Sequence, residues 1–320
     1  KAMSKTKMII DCDTGVDDAL AIAYLFSNPE IELLGITSIF GNVDVDLAAK
    51  NSLLMRELFL REDVKVYRGK DHAWGKEEYV RRNPEGSCHG LNGIGNVDLG
   101  DPVGRVEKET AVDFLLACAR KYEKELHLVF VGPLTNLAEC IRIDEKAMNK
   151  VGNITIMGGA LTLTGNVTPY AEANIFCDPK AAAFVFASSL HLHLIPLDAT
   201  LKTMFRVEDI KNWKDCGKAG QSLYAMARYY YASEYGDEKI GGAMHDPLAA
   251  YASFDPSIIS NWFKCNLCVE DNGRTIGSFR QLNEKEKRHS VALDVDADRF
   301  TKDYVELVSK KISGIFEGHF

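Results

Sequence analysis

The chain has 320 residues, 46% of them hydrophobic, with a formal net charge of −8 and a pI near 5.6. That length is enough for one large α/β domain, and the negative field disfavours nucleic acid or an anionic membrane as a partner. No apolar run approaches the roughly 18 residues that a membrane helix needs.

The start, KAMSKTK, runs straight into MIID without a secretory apolar core, so residues 1–6 read as an N-terminal extension or remnant and a cytoplasmic location is expected. Cys118, Cys140 and Cys177 lie in apolar segments and read as reduced core thiols. Cys265 and Cys268 form a CxxC in a strand-like stretch, where i and i+3 point to opposite faces, so they read as structural.

In chain order, strands are expected at 7–13, 32–41, 64–69, 126–132, 154–159 and 190–198. Helical patterns lie between them, as at 47–61 and 109–125. Such alternation predicts a single domain over 7–313, an open and mostly parallel sheet flanked by helices. A hairpin at 268–279, turning at Asn272-Gly273, and a last helix over roughly 298–313 complete the pattern. Residues 71–104 and 224–244 resist assignment, as lids and binding loops often do.

Polar groups follow several strands at their carboxyl ends: Asp11 to Asp18, Gly41-Asn42, Gly132 to Asn136, and Asp198. In open parallel sheets, ligands bind in the crevice at those ends. The densest group is DCDTGVDDALAI, residues 11–22. Asp17 and Asp18 suit a helix N-terminus, where negative charge gains about 0.3–1 kcal/mol. Asp11 and Asp13 have no such reason, and as i, i+2 on a strand they share a face. Like charges about 5 Å apart repel by roughly 3 kcal/mol at an effective dielectric of 20. Holding several together calls for protonation or a bound cation, and hard oxygen ligands select Ca2+ or Mg2+ over zinc.

His245-Asp246-Pro247 and Asp178-Pro179 each precede a helical pattern, where Asp then Pro is ordinary capping grammar. Capping is the reading for Asp178, and a competing one for Asp246. Glu172 and Asn174 offer a carboxylate and an amide suited to hydroxyl groups. The tyrosines at 224, 229, 230, 231 and 235 suit either base stacking or helix packing.

Together, DCDTGVDDALAI, GN at 41–42, GPLTNLA at 132–138, MGGA at 157–160, AEANIFCDP at 171–179 and HDP at 245–247 resemble the nucleoside hydrolase family. The likeness runs from about Lys7 to Ser309, with the motifs in the family's order. It implies a ribonucleoside substrate, a bound Ca2+, and a homodimer or homotetramer. By position, Asp13, Asp18, Asp246 and the Val131 carbonyl would hold the metal, with Asp11 supporting from behind. Asp17, Asn42, Glu172 and Asn174 would bind the ribose hydroxyls, with Asn166 near the 5′-hydroxyl and Met157 beneath. His89 would stand near the base. Asp13 would activate water, and His245 would protonate the leaving base, as an imidazole titrating near neutral pH can.

Two other activities share parts of this pattern. A haloacid-dehalogenase-type phosphatase would use Asp11 as nucleophile with Mg2+, and a non-catalytic nucleoside or sugar binder would share the scaffold. Specificity for another N-riboside, such as a nicotinamide one, would leave the metal and ribose sites looking the same.

Overall fold

The structure, a computed structural model, describes residues 4–236 and 241–318. Among them, nine strands share one sheet. In chain order these are β1 (Thr6–Cys12), β2 (Ile31–Ser38), β3 (Lys65–Arg68), β4 (Leu126–Phe130), β5 (Asn153–Met157), β6 (His193–Ile195), β9 (Asn261–Val269), β10 (Phe279–Leu282) and β11 (His289–Asp294). Strands β7 (Met204–Phe205) and β8 (Gly242–Ala243) pair separately. Across the large sheet the order is β10-β9-β11-β6-β5-β4-β1-β2-β3. From β3 across to β11 every pairing is parallel; β9 is antiparallel to β11 and to β10.

Strand alternation divides the interior. Met8, Ile10 and Cys12 face one core, against helices α1 (Val16–Ser27), α2 (Val45–Leu58), α8 (Gly217–Tyr235), α9 (His245–Phe254) and α10 (Ala297–Glu317). Ile9 faces the other, against α3 (Ala111–Tyr122), α4 (Thr135–Met148) and α6 (Pro179–Ala187). Capping starts several of these helices where the sequence allows it: Asp44 accepts from Leu47 N–H at 2.9 Å, and Thr110 from Asp113 N–H at 3.1 Å. Two short helices, α5 (Ala173–Cys177) and α7 (Leu197–Thr200), carry cleft residues and their supports.

The six expected strands are present; β1, β2 and β5 begin one residue earlier than expected, and all but β1 are shorter than expected. Strand β11 and the first half of β9 escaped the sequence reading. The late hairpin turns through a longer loop than Asn272-Gly273 alone, since pairing ends at Glu270 and Ser278. Residues 224–235 of the unassigned segment are helix, and 237–240 lie outside the described residues. Cys265 is buried and Cys268 partly so, on opposite faces and both free.

The order 3-2-1-4-5-6 has one functional consequence. The chain runs outward from β1 to β3, then restarts beside β1 at β4 and runs the other way. The loops leaving β1 and β4 therefore diverge and open a crevice between their carboxyl ends.

Candidate active site

A cleft of about 820 Å3 opens at that point, lined by Asp13, Asp17, Asn42, Val131, His245 and Asp246 among others. Strand β1 ends at Cys12 and helix α1 begins at Val16, so residues 13–15 make the whole turn between them. Asp18 reaches back within its own first helical turn and accepts the Gly15 N–H at 2.9 Å. A Cβ at position 15 would stand 2.6 Å from both Asn42 Nδ2 and His89 Nδ1, so only glycine lets those two side chains approach.

Asp13 is held from the loop that follows the neighbouring strand β2: the Asn42 N–H donates to its Oδ2 at 2.6 Å. A Cβ on Gly41 would fall 2.1 Å from that same oxygen, which explains the glycine before Asn42. The Asn42 side chain donates to Asp18 Oδ2 at 3.1 Å, so one residue grips two carboxylates. Asp11 lies behind the cleft, its Oδ2 accepting from Thr37 Oγ1 at 2.6 Å and Asn136 Nδ2 at 2.8 Å.

These carboxyl groups are nearly or fully buried, and Oδ1 of Asp11, Asp13, Asp17 and Asp18 has no hydrogen-bond partner among the described residues. Burial pushes Asp11 up to about 7. Burial, then the charge of Asp18, pushes Asp17 up to about 8 and Asp13 well above the usual carboxylate range. Asp246 is pushed up by burial, then by Asp17 and Asp18. Oxygens of Asp17, Asp18 and Asp246 lie within 4.8 Å of one another, while Asp13 meets the group through Asp18. Unpartnered, mutually repelling carboxylate oxygens turned on one point are a donor set that fits a hard divalent cation. The tightest trio thus includes Asp17, where the resemblance implied Asp13. Asp246 is not the N-cap of α9, a position Met244 holds two residues earlier, and its carboxyl joins the acidic group.

Asn174 Nδ2 donates to the Val131 carbonyl at 2.9 Å and to the Met157 carbonyl at 3.1 Å, fixing the edge of the cleft to β4 and β5. Glu172 caps α5 and accepts from three backbone N–H groups, of Asn174, Gly159 and Ile175. Burial raises its pKa, against the lowering effect of those bonds. Asn166 sits exposed at the rim, its Oδ1 accepting from Ala173 N–H at 3.0 Å. Met157 is buried and also lines the cleft.

Both histidines are buried. His89 Nδ1 accepts the Val16 N–H at 3.0 Å, and burial, aided by Arg81 and His245, pushes its pKa down to about 3. Its 3.9 Å separation from Asp17 Oδ1 is therefore a contact of a neutral ring and no ion pair. His245 Nδ1 lies 2.7 Å from Thr200 Oγ1, and burial pushes its pKa down to about 4. This departs from the expectation of titration near neutral pH: the elements packed around the ring bury it, and burial disfavours the imidazolium.

Every expected site residue except Asp11 and Asp18 lines the cleft, and those two lie directly beneath it. Asp198 does not line it; its carboxylate anchors the loop at Leu161 and Thr162. Asp178 caps α6 as read, and also accepts from Trp74 N–H and Thr135 Oγ1. The tyrosines divide: Tyr230 lines the cleft with its ring 5.3 Å from that of His89, whereas Tyr231 packs in the core. Sequence reasoning missed Tyr79, whose hydroxyl donates to the Gly41 carbonyl at 2.6 Å, and Thr200. Tyr79 sits in the aperiodic stretch 71–104, and nothing near Thr200 marks it.

Similarity to known proteins follows the same residues. The chain is 32% identical to a probable uridine nucleosidase 2 of Arabidopsis thaliana, over 92% of this chain and 94% of that one. It is 31% identical to the pyrimidine-specific ribonucleoside hydrolase RihA of Salmonella paratyphi B, covering 95% and 97%. Among solved structures, a purine-preferring ribonucleoside hydrolase from Gardnerella vaginalis superposes with a TM-score of 0.92 at 38% identity, covering 96% and 99%. The sequence profile of inosine-uridine preferring nucleoside hydrolases matches residues 8–302, from the start of β1 into α10, and the chain belongs to that family of hydrolases acting on the N-glycosidic bond of ribonucleosides.

Proposed function

We propose that this chain hydrolyses ribonucleosides to ribose and free base with Ca2+ as cofactor, held by Asp13, Asp18, Asp246 and the Val131 carbonyl. The observation that carries the reading is the set of buried, unpartnered carboxylate oxygens at the end of β1. A divalent cation there would neutralise the cluster, favour the ionised carboxyls, and make a nearby water more acidic.

The protein's own groups do the rest. Asp13, tethered by the Asn42 N–H, receives a proton from the attacking water. Asp17, Asn42, Glu172 and Asn174 bind the ribose hydroxyls, with Asn166 at the 5′ end and Met157 beneath the ring. Because Glu172 already accepts three N–H groups, it presents a rigid edge to the sugar. The C1′–N bond breaks as the water oxygen bonds C1′, through a ribosyl cation that the surrounding carboxylates stabilise. His245, a neutral ring at pH 7, donates a hydrogen bond to the departing base, which takes its proton from solvent as Asp13 returns one, while His89 and Tyr230 flank that base.

Asp11 is unsuited to the nucleophilic role of a phosphatase, being buried and absent from the lining of the cleft. The test is ribose release from inosine, guanosine, adenosine, uridine and cytidine, read by a reducing-sugar assay beside Asp13→Ala. Release that vanishes in the variant supports the reading; phosphate from a phosphoester and no ribose overturns it.

A further inference from the structure

Thr200 and Thr203, both fully buried, form a socket for the start of α9. Thr203 Oγ1 donates to the Thr200 carbonyl at 2.7 Å and accepts the Met244 N–H at 3.2 Å. The Thr203 carbonyl accepts from the same N–H, and β7 pairs with β8 immediately beyond. The backbone before His245 is thus clamped, and Thr200 Oγ1 meets the imidazole itself at 2.7 Å.

The direction of that hydrogen bond can be assigned. If Nδ1–H donated to the threonine, the buried hydroxyl proton of Thr200 would need another acceptor. Among the described residues Oγ1 forms no other hydrogen bond. A buried donor left unused is costly, so the hydroxyl donates and Nδ1 accepts. The ring proton then sits on Nε2, the nitrogen left free for a ligand in the cleft that His245 lines.

We propose that Thr200 is a positioning residue for nucleoside hydrolysis: its hydroxyl donates to His245 Nδ1 and fixes the ring in the tautomer that offers Nε2–H to the leaving base. This rests on the reading above that His245 assists the leaving base. A wrong tautomer would present a lone pair to the base and repel the electron density that accumulates there as the C1′–N bond breaks.

The test compares Thr200→Val, Thr200→Ser and His245→Ala on uridine, inosine and p-nitrophenyl β-D-ribofuranoside, whose phenolate leaves without a proton. Thr200→Val, nearly the same size, is expected to lower kcat on both nucleosides by about 10- to 100-fold with KM little changed. It should alter the nitrophenyl riboside rate less than twofold, and Thr200→Ser should recover most of the lost kcat. Nitrogen-15 shifts of His245 should report Nε2–H in the native protein and a mixture in Thr200→Val. Unchanged nucleoside kcat in Thr200→Val, with a leaving-group-selective loss in His245→Ala, overturns the proposal and leaves the role of His245 standing. No selective loss in His245→Ala overturns that role and the proposal with it. Equal losses on all three substrates in Thr200→Val mean a purely structural threonine, which also overturns the proposal.

Discussion

The backbone N–H of Val16 donates to Nδ1 of His89 over 3.0 Å, so the first turn of α1 is tied to the aperiodic loop that walls the cleft. This N–H is one of the orphan donors at a helix start, and an imidazole satisfies it where a serine or aspartate usually would. The bond also leaves the His89 proton on Nε2. His89→Ala should therefore have two effects: a stability loss of about 1–2 kcal/mol and a rise in KM of about 10-fold. Thermal unfolding and steady-state kinetics on uridine check them together, and an unchanged KM would remove His89 from the base site.

Asp13→Ala should cost at least about 100-fold in kcat, the lower range for loss of a general base. It also removes a carboxyl whose ionised form burial and Asp18 disfavour, so in EDTA at alkaline pH the variant should unfold at a higher temperature than the native protein. A lower unfolding temperature in EDTA would mean that Asp13 is retained for the fold.

The acidic group makes metal-free stability depend on pH. Asp11 and Asp17, pushed up to about 7 and 8, hold protons more tightly folded than unfolded. Their stabilising contribution is full below the ordinary carboxyl range and is lost as pH rises through about 7 to 8. Every tenfold gain in proton affinity on folding is worth about 1.4 kcal/mol, so the effect is several kcal/mol in order of magnitude. In EDTA the unfolding temperature should fall between mildly acidic and mildly alkaline pH, and Ca2+ on the order of 1 mM should restore most of the loss at the alkaline end. A flat profile in EDTA would contradict the burial of these charges.

Gly41→Ala places a methyl group 2.1 Å from Asp13 Oδ2, an approach no relaxation of Asp13 alone can relieve while Asn42 still holds it. Overpacking of this kind costs about 1–3 kcal/mol. The kcat should drop about 100-fold, since a displacement near 1 Å is enough for that. Calorimetry and the ribose assay read the two effects separately.

Much of this arrangement was legible in the chain. The alternation in KMIIDCD marked β1, and carboxylates in excess of what capping requires marked its end. The element order implied the crevice. The reading failed where local signals were mixed. Strand β9 carries exposed Phe263 and Lys264 and buried Asn266, a pattern with no clean period of two at the edge of the sheet. In helix α8 the run Tyr229-Tyr230-Tyr231 suits a strand as readily as a helix, which obscured its helical period. Tyr79 and Thr200 act through contacts made only when distant segments meet, and the depressed pKa of His245 reflects burial by surrounding elements rather than its own neighbours in sequence.

Asp246 comes from α9 and Asp17 and Asp18 from α1, so the cluster joins the first helix of the chain to one far along it. Such a contact closes late, after the intervening strands have paired, because the loop-closure entropy of so long a span must first be offset. A growing or half-folded chain therefore never faces the full repulsion of the cluster, and never owns a complete cation site. A cation held as proposed would find its full donor set only in a molecule whose α1 and α9 have already met.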